Sequence, residues 1–217
     1  MAGAAATRAA GRPGGGRRAR RDASAEQRRP RDSRERMVCS AALLFRERGY
    51  SGTAFSDVIA HSGAPRGSIY HHFPGGKAQL AHEAVAWAAA TIAERLDEAL
   101  AAERDAAGVL RAFLAPWREV LERSDFRAGC PLVAITVETE VPPELRTAVS
   151  DAFVGWRELL AARLRHAGIA PARARSLATL TLSAIEGAVL LCRAQRDTAP
   201  LDAVAAELAR AIDAARA

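Results

Sequence analysis

The sequence predicts an all-α protein in which an N-terminal three-helix unit precedes a longer helical region. Three observations carry this. Apolar residues recur at three- and four-residue spacing from Met37 almost to the end of the chain. Glycines and prolines interrupt that pattern at helix-length intervals. No stretch alternates polar and apolar residues for long enough to make a strand.

Residues 1–30 are Ala, Gly, Arg and Pro with almost no large apolar side chain, so they are expected to form a disordered basic tail. The pattern changes at Asp32. Met37, Ala41, Leu44 and Phe45 share one helical face, Asp32 or Ser33 can cap the start and Gly49 the end, giving a helix over about 33–48. After the turn from Tyr50 to Thr53, a short helix runs through Asp57 to His61 and stops at Gly63. Pro65 is suited to a first helical turn, so a second short helix is expected from Pro65 to Phe73, with Ile69 and Phe73 packed inward. Pro74-Gly75-Gly76 break the chain, and a long helix follows over about 77–102, with Leu80, Ala84, Trp87, Thr91 and Leu96 along one side. Further helices are expected at about 105–123, 130–139, 143–167, 172–195 and 200–216. The divisions this implies are a tail at 1–30, a short-helix unit at 31–82 and a helical domain at 83–217.

Of 217 residues, 49% are hydrophobic, enough for a buried core. No apolar run approaches the ~20 residues that span a bilayer, and the arginine-bearing N-terminus has no apolar signal core. These features predict a cytoplasmic protein with no membrane partner. Cys39, Cys130 and Cys192 are odd in number and too far apart for a metal clip. His61, His71, His72 and His82 have no acidic or cysteine ligand at a usual spacing, so neither a metal nor a cofactor is expected.

The net charge of +6 is unevenly placed. Residues 1–36 hold eleven arginines against Asp22, Glu26, Asp32 and Glu35, whereas residues 37–217 hold twenty bases against twenty-one acids. The basic segment is either a solvated tail or an arm for a polyanion. Only Lys77 among the bases is lysine.

Two short helices joined by a tight glycine-containing turn make a helix-turn-helix, whose second helix enters the major groove of DNA. Here the second helix would present Arg66, Gly67, Ser68, Tyr70 and His71. Small residues let the backbone approach DNA, and hydroxyl and imidazole groups can meet phosphates or base edges.

The stretch from Ala41 to Leu80 resembles the DNA-binding domain of TetR-type regulators. The resemblance rests on Leu44-Phe45-Arg46-Glu47-Arg48-Gly49-Tyr50, Gly52-Thr53, Ile59-Ala60, Ser62-Gly63, Gly67-Ser68-Ile69-Tyr70-His71-His72-Phe73 and Lys77. It implies phosphate contacts from Thr53 and Ser56, groove contacts from Pro65, Arg66, Gly67 and Ser68, phosphate or base contacts from Tyr70 and His71, and a further phosphate contact from Lys77. The sequence departs from the family at Pro74-Gly75-Gly76, where a Ser or Asn usually stands beside the lysine, so a looser turn is expected there.

Farther on, Phe126-Arg127-Ala128-Gly129-Cys130-Pro131-Leu132 is similar to the Gly-Cys-Pro element of the LmrA/YxaF-like branch, whose members respond to drug-like or flavonoid-like aromatic compounds. The resemblance implies double-stranded operator DNA and a small-molecule effector as partners, a homodimer, and repression relieved by an apolar or aromatic effector. Trp87, Phe113, Trp117, Cys130 and Trp156 are expected to line the effector site, or else to fill the core. The apolar stripe Leu177, Thr181, Ile185 and Val189, with Leu208 and Ile212, is expected to form a dimer interface or to pack within its own domain. The competing reading is a helical enzyme or ligand-binding protein with an incidental helix-turn-helix-like segment. No catalytic triad, carboxylate pair or phosphate loop supports an enzyme.

Overall fold

In a computed structural model, residues 32–103 and 105–215 are described; the basic tail expected at 1–30 lies outside them. Nine helices occur among these residues and no strands.

The first three helices form the N-terminal unit. Helix α1, Ser33–Arg48, starts where the Asp32 carboxylate accepts the Glu35 N–H at 2.8 Å and ends at Gly49, whose φ of 76° is easy only for glycine. Met37, Ala41, Leu44 and Phe45 are buried along it, as their spacing requires. Helix α2, Phe55–Ser62, begins at Ala54, which has no capping oxygen; the Asp57 carboxylate accepts the Ala54 N–H instead, at 2.8 Å. Gly63 closes it in the left-handed region. Helix α3, Ser68–His72, is shorter than the sequence suggests: Pro65, Arg66 and Gly67 form a turn, closed by Ser68 N–H to Pro65 O at 3.0 Å, rather than a first helical turn. Ile69 and Phe73 are buried as expected.

Helix α4, Gly76–Ala101, is continuous through residues 82 and 83, so the expected domain boundary falls inside one helix. It packs on α1 and then on α7, and Arg34 and Glu83 join its start to α1 at 2.7 Å. Helix α5, Ala106–Arg123, contains Pro116, which removes one backbone hydrogen bond. Helix α6 spans only Pro131–Thr136, not the longer segment to 139. Helices α7, Pro143–His166, α8, Pro171–Gln195, and α9, Ala199–Asp213, complete the bundle. Helix α8 packs against α5, α7 and α9.

Helix α8 is apolar and long enough to cross a bilayer by composition, which reading contiguous apolar runs did not anticipate. Half of its most apolar window is buried inside the bundle, which accounts for that half of its apolar residues.

Candidate nucleic-acid interface and its link to the helical region

The exposed surface of α2 and α3 is built from a few residues held in place by buried neighbours. Ile69 and Phe73 anchor α3 from beneath, and the Arg34 guanidinium lies 5.4 Å from the Phe73 ring centre. His72 Nε2 and Ser33 Oγ are 3.0 Å apart, tying the end of α3 to the start of α1. With those contacts made, Tyr70 projects outward at 69% exposure, its ring edge-on to Phe55 at 5.7 Å. Ser56, Pro65, Arg66, Gly67 and His71 are also exposed on this side. A Cβ added at Gly67 would meet nothing within 4 Å, and its φ of −77° suits any residue. Nothing inside the protein therefore requires glycine there.

Three of the expected DNA-contacting residues need correction in detail. Thr53 is buried, and its hydroxyl donates to Gly49 O at 2.8 Å, so it holds the turn instead of reaching outward. The Ser68 hydroxyl donates to Pro65 O at 2.7 Å, leaving it only acceptor capacity. Lys77 is half-buried, with Nζ 4.4 Å from the Tyr50 ring centre, and burial pulls its pKa down despite the opposing pull of Glu138 and Asp57. The Pro74-Gly75-Gly76 turn is not loose. Gln79 accepts the Gly75 N–H at 2.9 Å, and Gly76, at φ 71°, donates to Phe73 O at 2.9 Å.

The N-terminal unit is bonded to the helical region through α6, which the sequence did not reveal. The Glu138 carboxylate, just past α6, accepts the Tyr50 N–H at 2.5 Å, the Ser51 N–H at 2.9 Å and the Ser51 hydroxyl at 2.5 Å. A Cβ at Gly49 would collide with that carboxylate, so this glycine serves both its φ and the close approach. At the other end of α6, Gly129 N–H donates to Arg46 O of α1 at 3.2 Å. The connector before Gly129 holds Asp125 and Phe126 in the left-handed region, a costly conformation for these residues. Arg196 clamps it through Asp125 at 2.7 Å, and Arg193 donates to Arg127 O at 2.9 Å.

The five residues expected around an effector do not converge. Trp87 is 38% exposed on α4, whereas Phe113, Trp117 and Trp156 are packed in the core. The Trp117 and Trp156 rings meet edge-on at 6.3 Å, and Trp156 Nε1–H donates to Ala89 O at 3.1 Å. Cys130 alone of the five lines a described cavity, one of about 60 Å³ between α6 and α8. Burial, and then Glu186 beside it, push its thiol well above the ordinary range, which keeps it protonated and a poor nucleophile. A larger groove of about 370 Å³ runs between α5 and α9 and touches none of the five.

The six expected dimer residues also need correction. Leu177, Thr181, Ile185, Val189, Leu208 and Ile212 are all buried within the protomer. The most apolar stripe of each helix went to the core. Helix α8 leaves another stripe outside: Leu180, Ser183, Gly187 and Leu191, with the three leucines 180, 190 and 191 each about half exposed.

Comparisons agree with these two regions. Residues 40–84 match the bacterial regulatory proteins of the tetR family. Residues 106–207 match the C-terminal domain of LmrA/YxaF-like transcriptional regulators. An uncharacterised HTH-type transcriptional regulator of Mycobacterium tuberculosis is 47% identical over 182 residues, covering 81% of this chain and 91% of that protein. The HTH-type transcriptional regulator LmrA of Bacillus subtilis is 36% identical, covering 78% and 91%. A crystal structure of a TetR transcriptional regulator from Chloroflexus aurantiacus superposes with a TM-score of 0.72 at 36% identity, covering 83% and 94%. These relatives are transcriptional regulators and not enzymes. The chain therefore belongs to the TetR family of DNA-binding transcriptional regulators, with a C-terminal domain of the LmrA/YxaF-like type.

Proposed function

We propose that the chain is a cytoplasmic homodimeric repressor whose operator is released when a small apolar or aromatic effector enters the helical region. The observation that carries the DNA-contacting site is the exposed edge of α3, where Tyr70 stands 69% exposed beside the open Gly67. In this reading Arg66, Gly67, Tyr70 and His71 face the groove, Ser56 and Lys77 contact phosphate, and Pro65 and Ser68 shape the approach. Residues 31–82 form the DNA-binding unit, and the basic segment at 1–30 adds sequence-independent attraction to phosphate.

The effector belongs among α5, α6 and α8. Trp117 Nε1 and Thr181 Oγ1 are buried there without hydrogen-bond partners, and the buried Glu186 carboxyl has none beyond the weak Cys130 thiol; these are polar groups that an inserted ligand would satisfy. The dimer forms on the exposed stripe Leu180, Ser183, Gly187 and Leu191 of α8, with Ala203 and Ala206 of α9, which are also exposed. A two-fold dimer then reads two half-sites one helical turn apart or more.

The experiment is selection of bound DNA from a random pool, followed by mobility shifts. Tyr70→Ala weakens operator binding by roughly 1–3 kcal/mol, the scale of one lost specific contact. Unchanged affinity when Tyr70→Ala and Lys77→Ala are combined removes the assignment.

A further inference from the structure

Helix α8 carries no charge between Arg175 and Arg193 except Glu186. At 100° per residue, Glu186 lies on the flank of α8, beside neither the core stripe through Ile185 nor the exposed stripe through Leu180. That flank faces α6. Glu186 is 9% exposed, and its carboxyl oxygens have no partner beyond the weak Cys130 thiol. Glu186 lines the cavity of about 60 Å³ together with Gly129, Cys130, Val133, Val137 and Arg193. Gly129 lets the connector approach α8 so closely; a Cβ there would press to 3.2 Å on the Arg193 side chain.

We propose that this cavity binds the head group of a primary amine, with the Glu186 carboxylate as its counter-ion. The proposal rests on the effector reading above and names the chemistry of one part of that site. The cavity has room for a few heavy atoms, so it takes a head group and not a ring system. Among its lining residues the titratable groups are Glu186, Cys130 and Arg193. The Cys130 thiol is a weak donor to Glu186 and favours the ionised carboxylate, but burial outweighs it. Arg193 turns its guanidinium to Arg127 O and forms no ion pair with Glu186. An ionised carboxylate buried without a cation is costly, and burial raises the Glu186 pKa to about 7. An ammonium brings three donors and the missing charge, whereas a neutral hydroxyl brings one donor and no charge. Val137, at 72% exposure, and Leu190, at 46%, flank the mouth and offer apolar surface to the body of the amine. The walls of the cavity lead to the DNA-binding unit, because Gly129 is bonded to Arg46 and α6 is followed by Glu138 on Tyr50 and Ser51.

The sign of the pH dependence follows from the raised pKa. Amine binding needs the ionised carboxylate, so affinity is full above pH ~7 and is lost as pH falls below it; between about pH 8 and pH 6 the ionised fraction drops about tenfold. The test is titration calorimetry of the full-length protein with benzylamine and with benzyl alcohol, at both pH values. The expected result is that benzylamine binds at least tenfold more tightly than benzyl alcohol at pH 8, and about tenfold more weakly at pH 6 than at pH 8. In Glu186→Gln, checked for cooperative thermal unfolding, the preference for the amine and its pH dependence both vanish. Equal affinities for the two wild-type ligands, or a pH-independent preference for the amine, overturns the proposal without use of the variant. Operator affinity is measured separately on selected DNA. Its absence in the wild-type protein strikes the repressor reading, while the calorimetry still decides the cavity.

Discussion

The three-helix unit through His72 and the helical region after it use the same building element in opposite ways. In the first, short helices are pinned from beneath by Ile69, Phe73 and Phe45 so that a few side chains, Tyr70 above all, can be left outside. In the second, long helices bury their large side chains, among them Trp156, Phe113 and Leu121, and the unusual groups are polar ones left inside: Glu186, Thr181 and Trp117 Nε1. In the proposed reading, surface exposure singles out the site residues of one region, and burial without a full set of polar partners singles out those of the other. A substitution should therefore separate stability from DNA binding in the N-terminal unit but not in the helical core.

The largest effect expected from that contrast is at Trp156. Its side chain is 1% exposed, meets Trp117 and Phe153 edge-on and donates to Ala89 O. Trp156→Ala should cost about 3–5 kcal/mol, through lost burial, a cavity and an orphaned carbonyl. Urea unfolding measures it against Tyr70→Ala, whose effect on stability should stay within about 0.5 kcal/mol because its ring is largely in solvent. Comparable losses for the two variants would break the contrast.

A middle-sized effect is expected where the two regions join. The Glu138 carboxylate accepts from two backbone N–H groups and one hydroxyl of the turn after α1. Glu138→Gln keeps one acceptor oxygen and turns an amide donor toward groups that are donors themselves. The expected cost is about 1–3 kcal/mol, with faster hydrogen exchange at the Tyr50 and Ser51 amides than elsewhere in α1 to α3. Uniformly faster exchange across the chain would mean that Glu138 supports the whole fold and not the joint.

The N-terminal unit was legible in the sequence because its determinants are local. Gly49 and Gly63 end helices at the positions read from the chain, and Ile69 and Phe73 are buried four residues apart as their spacing requires. The start of α3 was misplaced because Pro65 fits a helical first turn and a tight turn equally well, and only the Ser68 bond to Pro65 O distinguishes them. The joint was not legible. Tyr50 and Glu138 are far apart in sequence, and one ordinary glutamate carries no periodic signal. On α8 the apolar stripe rule correctly found the buried face but could not say whether its cover was the same protomer or a partner. A sharper signal was present in Glu186, the single charge in an otherwise uncharged stretch, because such a residue is either exposed or in need of a partner.

The smallest expected change in stability comes with an informative change in binding, at Gly67. Alanine is sterically free there: φ is −77° and a Cβ meets nothing within 4 Å. Alanine also restricts the unfolded chain more than glycine does, so Gly67→Ala should leave stability unchanged or raise it by up to about 1 kcal/mol. Gly63→Ala is the internal control. Its φ of 65° disfavours a Cβ, so that variant should lose stability although space around it is equally open. If the start of α3 is where the backbone comes nearest to DNA, the added methyl at 67 meets the DNA and operator affinity falls by roughly 1–2 kcal/mol. Thermal unfolding and mobility shifts on the same preparations give both numbers. A Gly67→Ala protein that unfolds normally and still binds its operator at wild-type affinity would place the closest approach elsewhere on α2 or α3, and the open glycine would be left without an external reason.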